Sequence, residues 1–230
     1  MNNRKSGLIF IISVFVVVIL LIVYGFNYKN NDNFNYKKID KSKYLIYTVE
    51  KRNSGDYHQF IPFINVVGDN VKLINDNIAE YIESFTNENT CITYEYSLSG
   101  NVLSLIIKVE DHSYADSANV LYFRSYNYNI RQDSLLSNEE VLGYFDITVN
   151  DALDRFNSKL NEYYNNLKSN NLISSYNCDF NCFCNSRGFT KTLDDAEFFV
   201  KEGKLFVYKP YTFIQFDSDE EITYGFQVAE

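Results

Sequence analysis

Residues Gly7 to Gly25 read GLIFIISVFVVVILLIVYG, nineteen consecutive positions without a charged side chain. A helix of that length, at about 1.5 Å per residue, reaches roughly 28 Å, close to the hydrocarbon thickness of a bilayer. A cleaved signal peptide has a shorter apolar core, about 7 to 15 residues, and ends at a small-x-small site. Here Tyr24, Phe26 and Tyr28 stand where small residues would be needed, and no cysteine follows closely enough for lipoprotein processing. The expectation is an uncleaved single-pass membrane anchor. Arg4, Lys5 and the terminal amine flank one end while Lys29, Lys37, Lys38, Lys41 and Lys43 flank the other, so a bare count of cations would put the carboxy-terminal side in the cytoplasm. Those lysines lie mostly beyond a polar, Asn-rich spacer, and a short basic tail before a long apolar core is the usual form of a signal-anchor. The expected localisation is therefore the cell membrane: residues 1–6 a cytoplasmic tail, 7–25 a transmembrane helix, 26–41 a polar tether, and the bulk of the chain extracytoplasmic.

The chain beyond the anchor is long enough to bury a real core, as one large or two small domains. Tyr (20) and Phe (19) supply much of the apolar mass where Trp is absent, and with one Met and two Pro this is the composition of a folded chain. All 30 acidic residues but only 19 of the 21 basic ones come after Gly25, which leaves the presumed external part at a formal net charge of −11. Nucleic acid and anionic lipid are poor partners for such a surface; a basic protein or a cation suits it better, and acidity also serves solubility alone.

The four cysteines are Cys91, Cys178, Cys182 and Cys184. Outside a membrane they can pair, in any of three connectivities. The cluster C-x3-C-x-C lacks the C-x2-C pairs of a zinc knuckle and has no His nearby, which argues against structural zinc. Its surroundings, YNCDFNCFCNSRG, read as an irregular loop that a disulfide can staple. At least one disulfide is expected within Cys178, Cys182 and Cys184 or from this loop to Cys91; a reversed membrane orientation would predict free thiols instead.

Structure should begin near Ser42, with KYLIYTVEK as a strand, a turn at Asn53 to Asp56, and a second extended segment from Tyr57 to Val67 whose Pro62 belongs at an edge or bulge. Val71, Ile74, Ile78, Tyr81, Ile82 and Phe85 recur at three- and four-residue spacing, a helix that Asp69 or Asn70 can cap. Thr90 to Leu98, a Ser99-Gly100-Asn101 turn, Val102 to Val109 and Ala118 to Ile130 read as an antiparallel meander covering it. Ser137 with Glu140, then Thr148 with Asp151, have capping-box spacing; the second opens a longer helix with Val149, Ala152, Leu153, Phe156, Leu160, Tyr163 and Leu167 as its buried stripe. A hairpin over Ala196 to Tyr208 comes next, and Tyr211 to Phe216 and Ile222 to Val228 flank the acidic turn Asp217 to Glu221. The fold class is α+β: two small subdomains, 42–134 and 135–230, each of antiparallel strands packed on a helix.

Several motifs in this order resemble one family. They are Ile61-Pro62-Phe63-Ile64 before a helix with Ile74-Asn75 and Ile78, and the hairpin from Tyr94-Glu95-Tyr96 to Leu103-Ser104-Leu105. Next come Ser125-Tyr126-Asn127-Tyr128 ahead of Leu135-Leu136 and a short helix ending in Phe145, and Phe198-Phe199-Val200 through Lys209-Pro210-Tyr211 to Gly225. Taken together the external part resembles the ectodomains of lysozyme-sensing anti-sigma factors (RsiV-like, here 135–230) and the accessory domain beside peptidoglycan deacetylases (PdaC-like, here 42–134). The resemblance implies two packed α+β subdomains used for binding outside the cell. A tail of only Met1 to Ser6 has no room for a sigma-factor-binding module, and no metal-binding Asp and His motifs of a deacetylase are present, so neither activity carries over.

No catalytic, metal or cofactor constellation stands out. His58 and His112 lie in separate segments, each suited to a structural role, although Glu110-Asp111-His112 could also meet a cation or partner. Asp217 to Glu221 lacks the glycine and spacing of a calcium loop and suits a solvated hairpin turn between the two strands that flank it. Glu139 and Glu140 suit a helix start, and Asp194-Asp195 is a further acidic pair. No phosphate-cradling Gly loop or G-x-S-x-G elbow is present. Tyr122, Tyr126 and Tyr128 alternate on one strand and form a candidate partner surface for a saccharide or a protein; alternation requires that either this set or its complement point outward. The chain thus reads as a non-enzymatic, membrane-anchored binding domain for a lysozyme-like basic protein or a cell-wall ligand. The alternatives are a structural or assembly component of the envelope, or, less favoured, a cell-wall-modifying enzyme hidden in unfamiliar residues.

Overall fold

The structure is a computed structural model; it describes residues 44–52, 57–85, 87–113, 118–170, 178–189, 192–214 and 225–230. Among these no helix is long and apolar enough to cross a membrane; the Gly7 to Gly25 stretch and the Asp217 to Glu221 turn lie outside them.

The architecture is α+β. A seven-stranded, largely antiparallel sheet runs β1 (Ile46–Arg52), β2 (His58–Ile64), β3 (Thr90–Ser99), β4 (Val102–Asp111), β5 (Ala118–Asn129) and β6 (Ser134–Leu135), and β9 (Tyr211–Ile214) shares the outer side of β5 with β6. A second sheet has the order β10 (Gly225–Ala229), β8 (Lys204–Tyr208), β7 (Glu197–Lys201). The helices are α1 (Val71–Glu83), α2 (Asn138–Gly143), α3 (Val149–Ser169) and α4 (Phe180–Arg187).

The meander β3–β4–β5 is in continuous register, and Ser99 pairs with Val102 across Gly100-Asn101, where Gly100 takes φ +57 without the penalty a side chain would bring. Strand β4 is buried on both faces. Leu103, Leu105, Ile107 and Val109 point to one side, Val102, Ser104 and Ile106 to the other. Helix α1 covers the first side with Val71, Ile74, Ile78 and Ile82. Strand β2 meets β3 only at Gln59 opposite Ile92, so at Pro62 nothing on that side demands a donor. A little further along, the Asn75 side chain accepts from Ile64 N (2.8 Å) and donates to Ile64 O (3.1 Å), standing in for the missing strand.

The cap of α1 differs from expectation. Asn70 makes no side-chain cap bond; the carboxylate of distant Asp133 accepts from Asp69 N (2.6 Å) and Asn70 N (3.3 Å) and takes the Tyr128 hydroxyl (2.6 Å). This closeness requires Gly68, whose added Cβ would fall 2.4 Å from Asp133 Oδ1 and 2.6 Å from the Tyr128 oxygen. Both capping boxes do form, with Glu140 N donating to Ser137 Oγ and Asp151 N to Thr148 Oγ1, each at 3.2 Å.

The second side of the sheet is crossed by β7. Phe198 O accepts from Asn127 Nδ2 on β5 (2.8 Å), Val200 N donates to Ser104 Oγ on β4 (2.9 Å), and Lys201 pairs with Glu95 on β3. Ser104 Oγ also donates to Asn127 Oδ1 (2.6 Å). Side chains of one sheet thus satisfy the free edge of the other. Beyond them α3 lays Ala152, Phe156, Leu160, Tyr164 and Leu167 on β10 and α4. Rings fill this core: Phe156 lies 5.4 Å from Phe226, and Tyr164 5.3 Å from Phe183.

Two expectations are corrected here. The cysteine segment is not an irregular loop but α4, because Asp179 accepts from Cys182 N (2.8 Å), Phe183 anchors in the core, and Gly188 ends the helix at φ +76. Strands β9 and β10 do not pair with each other across the acidic turn: β9 joins β5 in the large sheet and β10 joins β8 in the small one.

Candidate functional site

The candidate partner surface Tyr122, Tyr126 and Tyr128 is turned inward. Tyr126 and Tyr128 are 3% and 0% exposed, Tyr126 donates to Asn77 O (3.3 Å), and half-buried Tyr122 packs on Phe85 with centroids 5.0 Å apart. Nor does the complement face outward, since Phe123 and Asn127 lie under the second sheet. Alternation assumes one solvated face, and here helix α1 covers one side and β7–β8 the other. Burial raises the Tyr81 and Tyr128 hydroxyls well above the usual tyrosine range, so both remain protonated donors.

Cys178 and Cys182 form a disulfide across the first turn of α4, whereas Cys184 is buried in the aromatic core. Cys91 carries a free, half-buried thiol. Burial, then the facing Glu110 carboxylate, push it up, which keeps it protonated and a poor nucleophile. The two histidines sit on carboxylates rather than at a shared centre: His58 Nδ1 lies 3.0 Å from Glu50, and His112 Nε2 lies 3.5 Å from Glu110 with its ring 4.7 Å from that of Tyr57. Among the described residues no group of three or more His, Cys, Asp or Glu gathers as a metal would require.

Three functional-looking residues escaped the sequence reading. Glu197, on β7, accepts from Ser125 N (2.8 Å) and Ser125 Oγ (2.7 Å) with Arg124 at 3.5 Å; burial still raises its carboxyl above the ordinary range. Lys209 is buried beneath Phe156, held by Asp195 Oδ1 (2.7 Å) and the Thr192 carbonyl. Both are internal anchors. The third is Tyr144.

Because β7 crosses the meander, hollows open on its flanks. One, about 220 Å³, is lined by Thr93, Glu95, Ile106, Lys108, Phe123 and Tyr208. Its charged groups are already committed, Glu95 to Lys201 and Lys108 to Glu110, and burial pushes the Tyr208 hydroxyl up to about 12. The other is larger, about 360 Å³, and apolar: Val102, Leu136, Val141, Phe145 and Val200 line it between the Gly100 and Gly203 turns. Tyr144 forms its outer wall at 56% exposure, yet the ring is fixed, because Asn129 Nδ2 donates to the Tyr144 hydroxyl at 3.0 Å. Buried Asn129 is itself set by Gln132 Oε1 (2.9 Å) and the Arg131 and Gln132 amides (3.1 Å each). A preformed apolar cavity with a pinned aromatic wall can take an apolar side chain or ring at little ordering cost. Across Tyr144 lies a shallower hollow of about 290 Å³, lined by Gln132, Leu136, Glu140 and Gly143.

No family model, curated protein or solved structure matches this chain.

Proposed function

We propose that the chain is a membrane-anchored binding module: one transmembrane helix at Gly7 to Gly25, and outside the cell a PdaC-like and an RsiV-like α+β subdomain that recognise a ligand rather than transform one. The observation that carries this reading is the solvent-open apolar cleft at Tyr144, preformed between the Gly100 and Gly203 turns and lined by Val102, Leu136, Val141, Phe145 and Val200, with the Tyr144 hydroxyl held by Asn129. The motif resemblance and the net −11 beyond Gly25 support a basic, lysozyme-like protein as ligand, with association that weakens as salt rises. Calorimetric titration of the full-length protein with lysozyme at low ionic strength should give saturable heat that shrinks at high salt; no heat removes that ligand. A reporter fused after Glu230 should be active only outside the cytoplasm, and activity inside overturns the topology.

A further inference from the structure

The apolar cleft itself is lined by no charged side chain, but the segment that supplies Leu136, Val141, Tyr144 and Phe145 to it is acidic. After the exposed Arg131, Gln132 to Asp151 holds Asp133 and Asp151, both engaged as helix caps, and Glu139, Glu140 and Asp146, with no Lys, Arg or His. Glu140 lines the shallower hollow, and its carboxylate accepts from Ser137 N at 2.7 Å, a bond that holds it below the usual range and hence ionised. On the opposite wall the two lysines next to lining residues are engaged, Lys201 by Glu95 and Lys204 by Glu230 at 3.4 Å. Tyr144 and Leu136 belong to both hollows, so a deep apolar slot and a shallow acidic one sit side by side with a fixed aromatic ring between them.

Resting on the binding role above, we infer that this double hollow takes a short segment of a partner protein in which an aromatic or large aliphatic side chain is flanked by Arg or Lys. The apolar side chain fills the slot among Val102, Leu136, Val141 and Val200; the neighbouring cation crosses Tyr144, where its stem packs on the ring and its head meets Glu140. An acidic or purely apolar segment gains only half of this. Orientation comes from the pinned ring and selectivity from the acids around it.

Because the protein has no tryptophan, a tryptophan peptide reports on its own environment. Titrating N-acetyl-Arg-Trp-Arg-amide with the full-length protein at low salt should give a saturable blue shift. Affinity should be at least tenfold tighter than for N-acetyl-Glu-Trp-Glu-amide. Tyr144→Ala should weaken the Arg peptide tenfold or more, and Glu139→Lys, which leaves the Ser137–Glu140 box intact, should weaken it several-fold while improving the Glu peptide. Equal affinity for the two peptides, no saturable shift, or indifference to both substitutions overturns the inference. The lysozyme titration separates the two levels: heat retained by a Tyr144→Ala protein means the ligand docks elsewhere on a genuine binding module, whereas no heat with the unaltered protein counts against the ligand class itself.

Discussion

The two faces of the seven-stranded sheet are closed by different chemistry. Under α1 the contact is mostly apolar: Ile74, Ile78 and Ile82 of the helix and Leu103, Leu105 and Ile107 of β4 are all buried, Tyr126 adds one hydrogen bond to Asn77 O, and none of the three hollows opens there. Under β7 the contact is polar: Ser104 and Asn127 serve a strand edge, Ser125 and Arg124 hold Glu197, and hollows remain on the flanks. A helix can lie along a sheet and fill its face, whereas a strand crossing a sheet touches each strand once. Closure on the crossed side is therefore incomplete, and the candidate ligand site sits where it fails.

That contrast predicts a ranking of effects. Ile78→Ala, in the apolar face, should cost about 3 kcal/mol in denaturant unfolding while peptide binding at low denaturant is unchanged. A loss below about 1 kcal/mol would mean the α1 face is loosely packed. Asn127→Leu strands the Phe198 carbonyl and leaves the Ser104 hydroxyl without its acceptor, and should cost about 2 kcal/mol, with altered binding because β7 loses its anchor. A neutral result would show that the polar seam is dispensable.

The next effect is one of pH. Burial raises the folded Glu197 carboxyl above its ordinary 4.5, so its contribution to stability is full below that value and is lost as pH rises through the raised one. Glu140 and Asp151 are held low by their capping partners, so their contribution is present above their ordinary values and is lost as pH falls through the depressed ones. Glu197→Gln should therefore flatten the decline of stability on the alkaline side of pH 4.5 and leave the acid limb alone; an unchanged profile would remove Glu197 as its source. Smallest is Tyr144→Ala, expected to shift unfolding by no more than about 0.5 kcal/mol since the ring is exposed. A large destabilisation would make Tyr144 a packing residue rather than part of a binding wall.

Much of the local structure was legible. The stripe of α1, most of the stripe of α3 (Tyr164 replaces Tyr163 as its most buried tyrosine, and Val149, expected inside, is exposed at the first turn), both capping boxes and the Gly100 turn follow from spacing and short-range bonding that the chain carries in itself. The functional candidates were less so. Tyr122, Tyr126 and Tyr128 were visible as an alternating set, yet alternation names two faces without saying what covers them. Tyr144 was visible as one residue of VLGYF, but its hold on Asn129 spans a turn and a helix that no local pattern connects. Glu197 gave no signal, since a lone charge in a strand is ordinarily solvated, and Lys209, between β8 and β9, entered only as part of the Lys209-Pro210-Tyr211 motif with nothing to mark it as buried.

What the amino-acid order determined alone is most of what depends on neighbours within a turn or two: all but one of the helices and most of the strands, the two capping boxes, the apolar stripe of each long helix, and that nineteen uncharged residues precede an acidic, aromatic-rich body. Tertiary structure decided which strands share a sheet, sending β9 and β10 to different ones, replaced the expected local cap of α1 by Asp133, and laid β7 across the meander. The reason is range. Helix caps and periodicity are satisfied within a few residues, whereas a buried donor or an open cleft depends on atoms that folding brings together from distant parts of the chain.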